Sequence, residues 1–401
     1  MDFEFLKKLI QPAQSKIVML IMDGLGGLPL EPNGKTELET AYTPNLDELA
    51  ALSTLGLSLP AGPGITVGSG PGHLAIFGYD PIEYEIGRGA LEALGVDFEL
   101  CPEDVAARGN FCTVDEKGLL IDRRAGRLPT EESTKLVKLL STIKVDGVEF
   151  FLRPIKEHRF AFVMRAPGLC DALSDTDPLK IGVADLPVWA LKPEAEDAAR
   201  IVNQFVSQVR QVLKGKSPAN MVLLRGFAKL PELPKYREIF GLNAAAIAVN
   251  GMYRGVSRLA GMTVLDVRGD TPADEFATLE KHWDEFDFFY IHIKKTDTCG
   301  EKGDFKGKVR VIEEIDELMP RLMALDPDVV IVSGDHSSPA VMKSHSWHPV
   351  PTLLYSKLAR PDGIPEFGER ACARGSLGIL PATHIMPLAL ANAERITKYG
   401  A

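Results

Sequence analysis

Three apolar runs in this chain each lead into a carboxylate, and that pattern restricts the folds open to it more than any other feature. Val329-Val330-Ile331-Val332-Ser333-Gly334 leads into Asp335 and His336. Ile17-Val18-Met19-Leu20-Ile21-Met22 leads into Asp23 and the stretch Gly24-Leu25-Gly26-Gly27. Phe288-Phe289-Tyr290-Ile291-His292-Ile293 leads through Lys294 and Lys295 to Asp297 and Glu301. Short continuous apolar runs read as strands buried on both faces, the habit of parallel sheets. Ligands of open α/β sheets gather at the carboxyl ends of such strands. A carboxylate beside an imidazole is a poor core pair and a good divalent-metal ligand set. Read singly, Asp335-His336 also suits a satisfied surface turn. Three converging acids, however, repel one another unless cations neutralise them, and a pair of divalent ions is the economical neutraliser.

The candidate nucleophile is in Thr66-Val67-Gly68-Ser69-Gly70-Pro71-Gly72-His73-Leu74-Ala75-Ile76-Phe77. Glycines on either side of Ser69 permit a bend and the close approach of a ligand. Pro71 suits the first position of a helix that Leu74, Ala75 and Phe77 continue. A serine at a helix start meets orphan N–H donors that favour phosphate oxygens. A plain helix N-cap would use the same residues. The strand-end acids favour the first reading, because coordination to a divalent ion activates an otherwise weak hydroxyl nucleophile.

With Asp23, Ser69, Asp297, Asp335, His336 and His345 in this order, the chain resembles the alkaline phosphatase superfamily. More closely it is similar to the cofactor-independent phosphoglycerate mutases, in their shorter archaeal-type branch. The passages that carry the resemblance are IMDGLGG (21–27), GSGPGHLAIFGYDP (68–81), DRRAGRL (122–128), KKTDTCGEKGDFKGKVRVIEEID (294–316) and SGDHSSPAVMKSHSWHPVPTLL (333–354). The resemblance implies an α/β fold with an alkaline-phosphatase-like core, a mainly parallel sheet flanked by helices, and an inserted smaller α/β domain. It implies two divalent metal ions, Mn²⁺ or Mg²⁺, a phosphoserine intermediate, and no use of 2,3-bisphosphoglycerate. Asp23, Ser69, Asp335 and His336 match the positions that hold one ion. Asp297 and His345, the latter followed by His348-Pro349-Val350-Pro351, match positions that hold the other. The family's Asp-x-x-x-His motif is broken, because Glu301 stands where its histidine would be. Glutamate is an ordinary oxygen ligand for these ions and makes the site harder and more anionic. Alternatively Glu301 points away and the second ion has a different ligand set. The implied activity is interconversion of 3-phosphoglycerate and 2-phosphoglycerate, a step of glycolysis and gluconeogenesis. The alternative is a metal-dependent phosphatase or phosphotransferase acting on another small phosphorylated metabolite.

A chain of 401 residues exceeds what one core usually serves, so two domains are expected. The strand ending before Asp23 is separated from the other two by most of the chain, which points to an insertion. Residues 1–83 and 235–401 are expected to form the metal-binding domain, and residues 84–234 an inserted substrate-binding or lid domain. Ala244–Val249 followed by 251–262 reads as a strand and helix returning to the core sheet. The charged segment Asp304–Leu325 reads as an amphipathic helix whose acids Glu313, Glu314, Asp316 and Glu317 form a solvated face. Within the insert, Arg123, Arg124, Arg127, His158 and Arg159 sit beside strand-like runs, and Arg225 ends another. Arginine clusters are usually exposed salt bridges of little energetic consequence. The resemblance makes these six residues candidates to bind substrate, since guanidinium groups grip carboxylate and phosphate bidentately.

The net charge of −10 argues against nucleic acid or an anionic membrane surface as the main partner; the resemblance implies a small phosphoglycerate substrate. The five cysteines, Cys101, Cys112, Cys170, Cys299 and Cys372, are odd in number and widely spaced, as suits free thiols in the cytoplasm. Met1–Lys16 lacks the apolar stretch of a signal peptide, and no segment has the length of a membrane span. A monomer or small homo-oligomer is expected.

Overall fold

A computed structural model describes residues 2–400. The chain divides into two compact units, one running up to Glu85 and resuming at Leu233, the other formed by Ile86–Glu232. In spatial order, the sheet of the first unit runs Gly378–Pro381, Ser53–Leu59, Val350–Ser356, Val329–Ser333, Ile17–Met22, Phe288–Ile293, Ala244–Ala248 and Thr263–Val264. Ile17–Met22, Phe288–Ile293 and Val329–Ser333 are buried at every position. Such unbroken burial is what helices on both faces of a parallel sheet impose. The three strands lie parallel, side by side, with Ile21 opposite both His292 and Ser333. This register brings their carboxyl ends level. Among these eight strands Val350–Ser356 alone runs against its neighbours.

The helix Phe305–Met323 shows why its sequence is amphipathic. Val311, Ile312, Ile315, Met319 and Leu322 recur at helical spacing and join a core that includes Val18, Leu20, Ile291 and Val330. Its acids, however, are not all solvated. Asp316 is 2% exposed, and its carboxylate accepts from Asn45 Nδ2 at 2.9 Å and from the Leu46 backbone N–H at 2.7 Å. It thereby caps the helix Pro44–Ala51, whose own N-cap residue Thr43 makes no side-chain capping bond. An acidic stripe in a sequence does not tell water from the N-terminus of another helix. The helix carrying Ser69 spans Ser69–Ile76 behind Gly68, so Pro71 is its third residue and not its first.

The second unit is built on an antiparallel sheet. Asp104–Val114 pairs with Arg159–Arg165, with Met221–Ala228 and with Leu120–Asp122, and Glu149–Pro154 pairs with Arg159–Arg165. Val137 and Leu140 of helix Thr130–Leu140, and Phe205 and Val209 of helix Glu196–Val212, share a core with Phe111, Phe160 and Phe162 of the sheet. Among the described residues no helix is long and apolar enough to cross a membrane.

Candidate active site

The level strand ends deliver Asp23, Asp335 and His336 to one place, each at most 1% exposed. Asp297 follows from the first turn of helix Lys295–Lys302. Ser69 opens its own helix, with Oγ 3.1 Å from His336 Nε2. The same nitrogen is 3.2 Å from Asp335 Oδ2 and 3.4 Å from Asp23 Oδ1. Neither carboxylate oxygen receives an aligned hydrogen bond, although both are buried. Close approach without hydrogen bonding, in a place closed to water, is how ligand atoms stand around a cation. Asp23, Asp335 and His336 offer atoms within 4.8 Å of one another, and so do Asp297, His336 and His345. Carboxylate oxygens mixed with imidazole nitrogens form a donor set that can hold divalent cations. His336 belongs to both groups, its ring stacked on that of His345 at 3.7 Å.

The packing leaves no slack. Gly24 has φ +64°, and a Cβ there would stand 2.7 Å from Ser338 Oγ and 2.9 Å from Asp297 Oδ1. Ser338 Oγ donates to Asp297 Oδ1 at 2.5 Å and approaches His336 Nδ1 at 3.3 Å. His345 Nδ1 lies 2.9 Å from the Val67 carbonyl, which turns Nε2 toward Asp297 Oδ1 at 3.4 Å. Glu301 stands apart: its side chain is 56% exposed, and Oε1 is 3.7 Å from His345 Nε2.

Four residues without an assigned role in the sequence reading complete the cluster. Lys294 Nζ donates to Asp23 Oδ2 at 3.0 Å, to Asp297 Oδ2 at 2.8 Å and to Tyr253 Oη at 2.7 Å. His292 Nε2 donates to Asp23 Oδ2 at 2.9 Å, and Tyr253 stacks on that imidazole at 3.6 Å. His73, one turn after Ser69, places Nδ1 2.8 Å from the Ser69 carbonyl and 3.1 Å from Asp335 Oδ2. The four-residue spacing of Ser69 and His73, and a lone histidine within an apolar strand, were signals available in the sequence. Nothing marked Tyr253.

Burial works against every charge here, and named partners oppose it. Burial disfavours the Asp23 carboxylate, but Lys294 and then His292 hold it well below the ordinary range. Asp297 likewise overcomes burial through its contacts with His345 and Lys294 and stays below that range. Burial brings His292 down to about 4, so its ring is neutral. His345 also resists burial, and contact with Asp297 and the Val67 carbonyl raises it to about 9.

In the second unit, Arg123, Arg124, Arg127, His158, Arg159 and Arg225 line one cavity of about 380 Å³ together with Arg88 and Arg108. Asp177 takes up part of this charge: it is gripped bidentately by Arg123 at 2.9 and 2.7 Å and lies 3.7 Å from Arg225. Arg88, Arg124, Arg127 and Arg159 have no carboxylate within ion-pair distance among the described residues. Burial, reinforced by Arg159, pushes His158 down to about 4. The cavity is therefore a cationic pocket able to receive anions.

Fold and cluster together define an α/β chain whose parallel strand ends converge on a serine set among acids and imidazoles. A family model described as 2,3-bisphosphoglycerate-independent phosphoglycerate mutase matches residues 50–220. A Thermotoga maritima protein named "Probable 2,3-bisphosphoglycerate-independent phosphoglycerate mutase" is 50% identical over 402 residues, covering 99% of each chain. One of the same name from Thermus thermophilus is 50% identical over 403 residues, covering 100% of this chain and 99% of the other. The chain belongs to the 2,3-bisphosphoglycerate-independent phosphoglycerate mutase family. Two solved structures are similar throughout. A Pyrococcus horikoshii protein gives a TM-score of 0.81 at 30% identity, covering 96% of this chain and 99% of its own. The cofactor-independent phosphoglycerate mutase of Thermoplasma acidophilum gives 0.77 at 29% identity, covering 94% and 100%.

Proposed function

We propose that this chain interconverts 3-phosphoglycerate and 2-phosphoglycerate through a phosphoserine formed on Ser69. The observation that carries the reading is the placement of Ser69 Oγ, 3.1 Å from His336 Nε2, beside buried carboxylate oxygens that accept no hydrogen bond. Asp23, Asp335, His336 and Ser69 would hold one divalent cation; Asp297 and His345, with His336 beside them and Glu301 within reach, would hold the other. When bound, Mn²⁺ or Mg²⁺ would supply positive charge against the transferring phosphoryl group and lower the pKa of the serine hydroxyl.

The residues of the chain do the rest. Ser69 Oγ attacks phosphorus as the ester P–O bond breaks, and the glycerate oxygen leaves with the bonding electrons and takes up the proton that Ser69 gives up. The other hydroxyl of glycerate then attacks the phosphoserine, and Ser69 recovers its proton. Free N–H groups of the first helical turn favour the phosphate oxygens. His73, hydrogen-bonded through Nδ1 to the Ser69 carbonyl and standing 3.1 Å from Asp335 Oδ2, spaces the serine from the acids. Lys294 keeps Asp23 and Asp297 ionised and close together. The cationic pocket supplies guanidinium groups for the carboxylate and phosphate of the substrate.

Glu301, in place of the family's histidine, keeps a second reading in view: transfer of the phosphoryl group to water or to another small metabolite. An enolase-coupled assay on 3-phosphoglycerate, run beside a phosphate-release assay, separates the two. We expect 2-phosphoglycerate formation in the wild type and none in Ser69→Ala. Substantial turnover by Ser69→Ala would rule out the covalent route, and phosphate release without 2-phosphoglycerate would favour the hydrolytic one.

A further inference from the structure

Lys308 is 0% exposed, deep in the unit that carries the acids. Its Nζ donates to three backbone carbonyls: Gly24 at 2.8 Å, Gly26 at 3.0 Å and Ser338 at 2.9 Å. Three acceptors call for three N–H bonds, which only the ammonium form offers. No carboxylate pairs with it within ion-pair distance among the described residues; its direct partners are the three carbonyls, while Glu37, Glu369 and Asp297 favour its charge from further off. A buried lysine is expensive to maintain, and apolar packing would serve stability as well or better. Its position suggests what it does instead. Gly24 follows Asp23, and Ser338 follows His336 by two residues. The Ser338 backbone N–H also donates to the Gly24 and Gly26 carbonyls, at 3.2 and 3.0 Å, and its hydroxyl donates to Asp297. One ammonium thus ties together the two loops that follow the central strands, and reaches the third acid through Ser338.

We propose that Lys308 is a positioning residue that sets the spacing of the two donor groups, and with it the affinity and geometry of the cation sites; this rests on the proposed cation-binding reading. It touches neither substrate nor ligand atoms. A helix residue 285 positions after Asp23 acts on it through three carbonyls fixed in one geometry, because a displaced Gly24 displaces Asp23. Preorganisation of this kind is lost when supporting residues loosen, even where the ligands themselves remain.

The test replaces Lys308 by Met, which keeps the length and removes the charge, and by Gln, which keeps two donors. Mn²⁺ is titrated into chelator-treated wild type and variants, with calorimetric affinity and the Mn²⁺ electron paramagnetic resonance spectrum as readouts beside kcat and KM. We expect both variants to fold, to bind Mn²⁺ about tenfold or more weakly, to broaden the Mn²⁺ spectrum, and to lose kcat more than KM. Wild-type affinity and spectrum in a folded Lys308→Met protein would overturn the proposal. So would failure of both variants to fold, since Lys308 would then serve the fold and not the site. Absence of Mn²⁺ binding by the wild type is a separate result, which would remove the cation-site reading itself.

Discussion

Replacing Lys294 by Met asks whether this ammonium offsets the repulsion among the acids. Lys294 donates to Asp23 and Asp297 at 3.0 and 2.8 Å, and both carboxylates are buried. A hydrogen bond to a charged group contributes about 1.5–3 kcal/mol net. The Lys294 side chain is 32% exposed, so the lower end applies to each bond. Two such bonds give about 3 kcal/mol, which for a unit of this size corresponds to a melting point roughly 6–12 °C lower. The variant should therefore melt well below wild type when both are metal-free. Added Mn²⁺ should narrow the gap, because a cation bound only to the folded state stabilises it by mass action and neutralises the same oxygens. Circular dichroism melts at neutral pH, with chelator and then with excess Mn²⁺, measure both quantities. Metal-free proteins that melt together would refute the charge-offsetting role of Lys294. A gap unchanged by Mn²⁺ would refute the claim that ammonium and cation act on the same acids.

Glu275, which lines a cavity with His292 and Lys294, is 4% exposed, and burial raises it from 4.5 to about 9. Above pH 4.5 the folded state keeps a proton that the unfolded state has lost, so stability falls as pH rises from 4.5 toward 9. Glu275→Gln should thus raise the unfolding free energy measured in urea at mildly alkaline pH, by a few kcal/mol at most (about 1.4 per pKa unit), with the gain fading near pH 4.5; a pH-independent gain would contradict this account. Arg124→Ala and Arg159→Ala should each raise KM for 3-phosphoglycerate by about tenfold, the equivalent of ~1.4 kcal/mol, with unchanged circular dichroism. Steady-state kinetics in which KM stays put would remove the cationic pocket from substrate binding. Asp297→Asn should weaken Mn²⁺ binding far more than Glu301→Gln, given the burial of one and the exposure of the other. Equal losses in calorimetry would place Glu301 among the ligands.

Much of the architecture was legible because its signals are local. The runs before Asp23, Asp297 and Asp335 are buried at every position, as continuous Val, Ile and Phe demand, whereas the register that levels their ends is seen only in the folded sheet. The cysteine spacing, the insertion and the arginine-rich passages could likewise be seen one segment at a time. Residues whose role depends on what packs opposite could not. Asp316 looks like any acid of an exposed helical stripe until the helix Pro44–Ala51 is placed against it. Lys308 looks like a surface lysine until three carbonyls surround it. Tyr253 comes from a helix behind the strand Ala244–Ala248, and only the folded sheet brings it onto His292. Glu301 was visible as a departure from the family's motif, but its direction depends on side-chain packing that no motif encodes.

The strand Val350–Ser356 opposes its neighbours, so it begins at the edge of the sheet where they finish. The chain after Asp335 therefore turns straight back, and His345 arrives ten residues later without a helical crossover. Asp23, by contrast, waits for partners more than 265 positions downstream. During synthesis on a ribosome the cluster is completed only once His345 has emerged. Nascent and prematurely terminated chains consequently carry Ser69 without the acids and imidazoles that surround it in the folded unit.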